Sequence, residues 1–198
     1  MALSAGATPA SRRHLPWLYT GAGHTNRVPN MRLMTKALTA LTRDDIEELC
    51  QIGASEGQFL DFKANLAGKG TAGDAWNQGS NELPDTAVNE LAKSIVAFAN
   101  AEGGWIVLGI RETSKPARAE SISPMRACHD LARRLRQSLD ARIDPTPTGI
   151  ETWAVETEPG TDRGVVVLRM PASAYAPHGV IRDRVARVCY EAAMTSAG

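Results

Sequence analysis

Residues 88 to 110 constrain the fold most, because a patterned helix there passes through two glycines directly into an apolar run. In the stretch VNELAKSIVAFANAEGGWIVLGI, apolar residues recur three or four positions apart as far as Phe98, which predicts a helix with one buried face. Gly103 and Gly104 allow a tight reversal, since glycine reaches positive φ without a Cβ clash. The apolar run that follows predicts a strand. This order favours an α+β class, a single mixed α/β domain with a central mixed sheet flanked by helices.

The glycine pair has two interpretations, and the residues alone leave both open. The simpler one is a helix C-cap followed by an ordinary tight turn. In the other, the bare backbone N–H groups of Gly103 and Gly104 approach a phosphate, with Asn100 beside them at the helix end. Both interpretations predict at least one glycine at positive φ.

A second informative segment, EGQFLDFK at residues 56–63, predicts a short strand. Alternation places Asp61 and Lys63 on one face of that strand, with Glu56 five residues upstream of Asp61. Carboxylates in this arrangement can hold a divalent cation while a lysine steadies a developing oxyanion. Exposed strand edges also carry Asp and Lys simply to remain soluble. Both interpretations stay open.

These two segments resemble the Schlafen-type AlbA-like domain, whose pattern runs E-x4-[ED]-F-K and then A-F-A-N-x-x-G-G-x-[LIV]-x-[LIV]-G. The resemblance spans about residues 41 to 190 and implies a mixed α/β domain that binds DNA or RNA. In some eukaryotic members an acidic cluster cleaves RNA, and the resemblance places Glu56 and Asp61 at its two leading acids. Arg111 occupies the third acidic position, so Glu112 substitutes only if the register shifts by one.

The charge of the chain is balanced overall but unevenly distributed. Residues 1–43 contain six Lys or Arg and no Asp or Glu. Residues 44–110 contain eleven acids and three bases, whereas residues 111–142 contain eight bases and four acids. A nucleic-acid-binding face must therefore be a local patch. We expect this patch to combine the glycine turn with the following cations: Arg111, Lys115, Arg118, Arg126 and Arg133.

The predicted helix from Pro124 to Ala141 carries several of these arginines. Its buried stripe is expected to begin at Cys128, which leaves the arginines to other faces. They are candidates for phosphate contact, although a solvated helix face explains them equally well. The long connection at residues 67–85 contains Trp76, which can either stack on a base or pack onto the core.

Domain organisation follows from the first forty residues, which lack acids and apolar periodicity. We expect residues 1–40 to form a disordered basic arm, followed by the folded domain at 41–198. Three cysteines without a C-x-x-C pair favour a reducing, cytoplasmic location over a disulfide framework. No apolar run is long enough to span a membrane.

Three functions remain open from the sequence. The leading one is a non-catalytic module that binds DNA or RNA without a cofactor and can form a homo-oligomer. The second is a ribonuclease that requires Mg²⁺ or Mn²⁺, with Glu56 and Asp61 as metal ligands and Lys63 and Glu112 assisting. The third is a protein-interaction scaffold, which suits the acidic charge of residues 44–198. We expect weak or absent nuclease activity, because a cation at position 111 would compete with the metal.

Overall fold

The computed structural model describes residues 31–67, 73–182 and 185–188. Four α-helices lie in this part of the chain: α1 (Met31–Thr35), α2 (Arg43–Gln51), α3 (Asp85–Asn100) and α4 (Cys128–Asp140). A short 3-10 helix covers Leu38–Ala40. The strands are β1 (Leu60–Lys63), β2 (Gly103–Leu108), β3 (Ile110–Glu112), β4 (Ala119–Ile122), β5 (Met125–Arg126), β6 (Ile143–Asp144), β7 (Glu151–Glu158), β8 (Arg163–Pro171), β9 (Gly179–Arg182) and β10 (Val185–Val188).

The central sheet is mixed, as the sequence predicts. Strand β1 pairs with β2 in parallel, and β2 pairs with β8 in the antiparallel sense. Strands β5 and β7 also pair with β8, both antiparallel. Two smaller sheets accompany it, the β3–β4 hairpin and the three strands β10, β9 and β6. The predicted α+β class and the central mixed sheet flanked by helices are confirmed.

Both faces of the central sheet are covered, which explains the unbroken apolar character of β2. Ile106 and Leu108 point into a core built with α3 and α4. Trp105 and Val107 point the other way, into a core built with α2 and the hairpin. Alternating side chains of a strand leave opposite faces, so a strand between two layers needs apolar residues at every position.

The helices follow the predicted patterns with one change of boundary. The apolar stripe of α3 is buried from Val88 to Phe98. Helix α2 starts with a capping box, in which the hydroxyl and backbone N–H of Thr42 both donate to Asp45 Oδ2, at 2.8 and 2.9 Å. Helix α4 begins at Cys128 and not at Pro124, because Met125 and Arg126 pair with β8 as strand β5.

The folded region extends further toward the N-terminus than the predicted boundary at residue 41. Leu33 and Leu38 are buried with Leu41 in the core that contains α2. The arm predicted for residues 1–40 therefore differs from the structure over 31–40, and its first thirty residues lie outside the described ranges. No helix in those ranges is long and apolar enough to cross a membrane.

Candidate functional site

A cleft of about 610 Å³ lies between β1 and α3. Strand alternation places Leu60 and Phe62 in the core and turns Asp61 toward the cleft. Ser94 reaches it from α3, and its hydroxyl donates to Asp61 Oδ2 at 3.0 Å. The residues that line the cleft are Glu56, Gly57, Leu60, Asp61, Lys63, Lys93, Ser94, Ala97 and Phe98.

Two carboxyl groups meet in this cleft. Glu56 Oε1 accepts a hydrogen bond from the backbone N–H of Phe62 at 2.7 Å, which folds the Glu56 side chain back over β1. Burial of the carboxyl, its hydrogen bond with Asp61 and the negative charges of Asp61 and Glu112 raise the pKa of Glu56 to about 7. Glu56 is therefore poised to take up or release a proton near neutral pH.

A third acid, Glu112, lies near these two carboxyl groups on the hairpin. The β3–β4 register shifts between Arg111 and Glu112, which is a β-bulge. Arg111 is left exposed, while Glu112 turns inward and one of its oxygens, Oε1, is buried without a hydrogen-bond partner in the described residues. Burial raises the pKa of Glu112, the charge of Asp61 adds to the effect, and Lys63 opposes it. Glu112 thus lies on the inner side of the hairpin, near Asp61 and Lys63.

Lys63 brings a positive charge next to Asp61. Its ammonium donates to Asp61 Oδ1 and to the backbone carbonyl of Phe62, the latter at 3.2 Å. Asp61 is thus held by a lysine on one oxygen and a serine hydroxyl on the other. The second lysine that lines the cleft, Lys93, is paired with Glu90 on α3 at 2.7 Å.

The hairpin beside the cleft carries exposed cations. We name residues 110–122 the basic hairpin, since Arg111, Lys115 and Arg118 are all exposed on it. None of the three has a carboxylate partner in the part of the chain that the structure describes. The hairpin is docked next to Glu56, because the Ala119 N–H donates to the carbonyl of Ala54 at 2.8 Å. Acidic cleft and basic hairpin therefore adjoin.

Comparison with known proteins identifies the family of this chain. The family model described as Schlafen, AlbA_2 matches residues 56–192, which is more than half of the chain and includes the cleft and the hairpin. The chain belongs to the Schlafen, AlbA_2 family.

One solved structure similar to this Schlafen, AlbA_2 chain is that of the DIP2311 protein from Corynebacterium diphtheriae, at 23% sequence identity and a TM-score of 0.44. The match covers 74% of this chain and 24% of DIP2311, so the chain spans about a quarter of that protein's length. None of the curated protein sequences matches the chain.

Two arginines of the predicted binding set have other partners in this Schlafen, AlbA_2 domain. Arg126 was expected to face solvent, but it is partly buried and donates to the carbonyls of Trp76 and Ser80 at 3.0 and 2.7 Å. Its guanidinium lies 5.3 Å from the centre of the Trp76 ring. Trp76 is fully buried and so packs onto the core. Arg133 remains exposed in an ion pair with Asp130 at 2.5 Å.

The glycine turn also serves the fold. Gly103 has a φ of +87°, which confirms the predicted positive φ. A Cβ there would lie 2.8 Å from both Met170 O and Ala172 N, so the close approach is to strand β8. A Cβ on Gly104 would collide with the ring of Phe98. The space that a Cβ would occupy on Gly103 and on Gly104 is thus filled by protein atoms.

Asn100 holds a neighbouring loop. Its side-chain amide donates to the carbonyl of His178 at 3.0 Å and accepts from the N–H of the same residue at 2.7 Å. His178 is buried, with its ring nitrogens 2.6 Å from the Pro145 carbonyl and 2.7 Å from the Ser173 hydroxyl. These contacts give Asn100 a structural task at the end of α3.

Sequence reasoning missed Ser94, because a single serine on a long helix carries no signal until the strand beside it is known.

It also missed a cluster of possible metal donors. Among the described residues, the one group of three such side chains with donor atoms within 4.8 Å of one another is Cys128, His129 and Asp162. The carboxyl oxygens of Glu56, Asp61 and Glu112 do not form such a group within 4.8 Å.

Proposed function

We propose that this domain binds nucleic acid and that the basic hairpin makes the phosphate contacts. The observation that carries the proposal is the contrast between the hairpin and the rest of the basic surface. Arg111, Lys115 and Arg118 are exposed without carboxylate partners, and Arg118 has only a long hydrogen bond to the Gly53 carbonyl at 3.5 Å, whereas Arg126 is held by two carbonyls and Arg133 by a carboxylate. Free cations gain most from a phosphate, because no existing ion pair has to be broken.

Membership of the Schlafen, AlbA_2 family is compatible with nucleic-acid binding. The hairpin lies beside the cleft, so a strand held on its cations would pass close to Glu56. The local positive patch is needed because the acids of the cleft repel phosphates. Binding is therefore expected to depend on a few side chains and to weaken steeply with salt.

The test measures affinity for single-stranded DNA, duplex DNA and structured RNA over a range of salt concentrations. Reversal of two hairpin charges, Arg111→Glu with Lys115→Glu, is expected to lower the slope of log affinity against log salt by about 2, one for each lost phosphate contact. Arg43→Glu is the matched control, because Arg43 is exposed but paired with Glu47 at 2.6 Å. An unchanged slope in the double variant would reject the hairpin as the binding surface.

A second candidate function, metal-dependent cleavage of RNA, rests on the three acids of the cleft. Oε1 of Glu112 is buried without a hydrogen-bond partner in the described residues, and the carboxyls of Glu56 and Asp61 share a hydrogen bond, so these three groups are the candidate ligands for a divalent cation. Mg²⁺ or Mn²⁺ held by these carboxylates would stabilise charge on a phosphate. With a pKa of about 7, Glu56 can accept a proton from an attacking hydroxyl or donate one to a leaving group. Lys63 can neutralise a phosphate oxygen next to Asp61.

Incubation of structured RNA with the protein and Mn²⁺ distinguishes the two functions. Cleavage that is lost in Glu56→Ala and Asp61→Ala, with RNA binding retained, would establish the nuclease. Glu102→Ala controls for removal of an exposed acid. Binding without cleavage in Mg²⁺ and Mn²⁺ would leave the non-catalytic module. Absence of both would favour the protein-interaction scaffold.

A further inference from the structure

A second cluster of chemically active side chains lies away from the cleft, where the N-terminus of α4 meets the turn between β7 and β8. Cys128 and His129 are the first two residues of α4, and Asp162 is in the turn. Glu156 approaches from β7, with its Oε1 3.9 Å from His129 Nδ1. None of these four residues lines the acidic cleft.

The donor atoms of this cluster are closely grouped. Cys128 Sγ lies 3.8 Å from His129 Nδ1 and 3.4 Å from Asp162 Oδ1. His129 Nδ1 lies 2.8 Å from Asp162 Oδ1. The sulfur, the nitrogen and the oxygen therefore form a compact triangle.

The triangle has nearly the size of one face of a zinc coordination sphere. With metal–ligand distances of about 2.3 Å for sulfur and about 2.0–2.1 Å for nitrogen and oxygen, a tetrahedron separates its ligand atoms by about 3.3–3.6 Å. The two distances from the sulfur agree with this range to within a few tenths of an ångström. Only the nitrogen–oxygen pair, now at hydrogen-bond distance, has to open by about 0.5 Å.

The backbone directs these donors toward one another. Ala127 and Asp162 are the two non-glycine residues at positive φ in the described ranges, at 46° and 52°. The N–H of Cys128 donates to the carbonyl of Asp162 at 3.0 Å, and the N–H of His129 donates to Asp162 Oδ1 at 3.2 Å. Asp162 thus caps α4 from another part of the chain. A cap needs only this aspartate, so it leaves the adjacent cysteine and histidine unexplained.

A cysteine nucleophile is a poor fit to the same residues. Cys128 is fully buried, so a substrate cannot reach its sulfur. His129 and Asp162 have side chains that are 61% and 48% exposed, which leaves a path from solvent for an ion. Mixed sulfur, nitrogen and oxygen donors of this kind suit Zn²⁺ better than Mg²⁺ or Ca²⁺, which prefer oxygen alone.

We propose that Cys128 Sγ, His129 Nδ1 and Asp162 Oδ1 bind one Zn²⁺ ion, with Glu156 or a water molecule as the fourth ligand. The thiol proton of Cys128 passes to solvent when the ion binds, and the imidazole binds as its neutral form. The site ties the β7–β8 turn to the start of α4. Its task is structural and independent of nucleic-acid binding.

Zinc titration of the full chain, after removal of metal with a chelator, tests the proposal. We expect one equivalent of Zn²⁺ per chain and a rise in Tm when it binds. Co²⁺ in place of Zn²⁺ is expected to give the absorption bands of a thiolate-bound, tetrahedral ion. His129→Ala and Cys128→Ser are each expected to weaken zinc binding by at least about 10-fold.

The controls separate this site from other possible ligands. Cys50→Ser removes another cysteine and is expected to leave both stoichiometry and affinity unchanged. If Cys128→Ser fails to fold, His129→Ala decides the outcome, because His129 is mostly exposed. Zinc affinity that is unchanged by His129→Ala would overturn the proposal, as would the absence of a thiolate band with Co²⁺.

Discussion

At the scale of the residue, the surroundings of a carboxyl group set its chemistry in this domain. Burial acts to raise the pKa of Asp45, but hydrogen bonds from Lys36 and Thr42 outweigh it and hold the pKa below its usual value. For Glu56, burial of the carboxyl and its hydrogen bond with Asp61 raise the pKa to about 7, although the residue as a whole is exposed. The difference lies in the partners, which are cationic and neutral donors for Asp45 and another acid for Glu56.

The raised pKa of Glu56 predicts a pH-dependent stability. The folded state holds the Glu56 proton up to about pH 7, whereas the unfolded chain releases it near pH 4.5, so stability falls as pH rises between these values. Glu56→Gln removes this penalty while preserving the bond from Phe62. We expect the variant to be more stable than the natural protein at pH 8 by about 1 kcal/mol, well below the full shift because the residue is exposed.

Urea unfolding at pH 4 and pH 8 checks this prediction. At pH 4 the carboxyl is protonated in both states, so the difference between Glu56→Gln and the natural protein is expected to vanish. Glu102→Gln, on an exposed turn residue, is the control and is expected to have little effect at either pH. A variant that is less stable than the natural protein at pH 8 would contradict the assignment.

At the scale of the element, the start and end of β2 depend on glycine. Gly103 opens the strand at positive φ and packs against the backbone of β8. Gly109, with a φ of +104°, interrupts the strand before β3 and lets the hairpin leave the central sheet. The hairpin carries Arg111 at the surface and Glu112 near the acids of the cleft, so this break helps to position both side chains.

Gly103→Ala is therefore expected to destabilise the domain by about 2–4 kcal/mol, from the unfavourable φ and the contacts with β8. Gly57→Ala is the matched control, since a Cβ at Gly57 would meet no atom within 4 Å. Urea denaturation of both variants supplies the comparison. Equal stability of the two would show that the turn at Gly103 is ordinary. By the same reasoning, Gly103→Val is expected to be more harmful than Ala101→Val.

At the scale of the whole molecule, two hydrophobic cores enclose one sheet. The core formed with α3 and α4 lies on one face, and the core that contains α2 lies on the other. The second core includes Leu33 and Leu38, which precede the capped helix α2. The segment from residue 31 to 41 is therefore part of the packed structure.

Shortening the chain tests this part of the fold. A chain that begins at Leu41 is expected to be less stable than one that begins at Met31, because it loses the burial of Leu33 and Leu38 in the core that contains α2. Thermal or urea unfolding of the two proteins, compared with the full chain, gives the measurement. Equal stability of both would place residues 31–40 outside the cooperative unit.

Local patterns in the sequence were sufficient for the elements that depend on neighbours along the chain. The buried stripe of α3, the capping box at Thr42 and the alternation of β1 all follow from periodicity and short-range hydrogen bonding. The two segments that carry the family pattern could also be recognised from the sequence, and the family match confirms the resemblance. Such features are readable because residues three or four positions apart on a helix, or two apart on a strand, share a face whatever the rest of the fold does.

Contacts between segments far apart in the sequence could not be predicted from these local patterns. Pairing of Met125 with β8 removes the first predicted turn of α4. Glu112, and not Arg111, has a buried side-chain oxygen near the acids of the cleft, and the β3–β4 register shifts between these two residues. Asp162, thirty-three residues from His129, completes the donor cluster. Each of these outcomes follows from strand register or from packing between segments far apart in the chain, where a shift of one residue reverses the direction of a side chain.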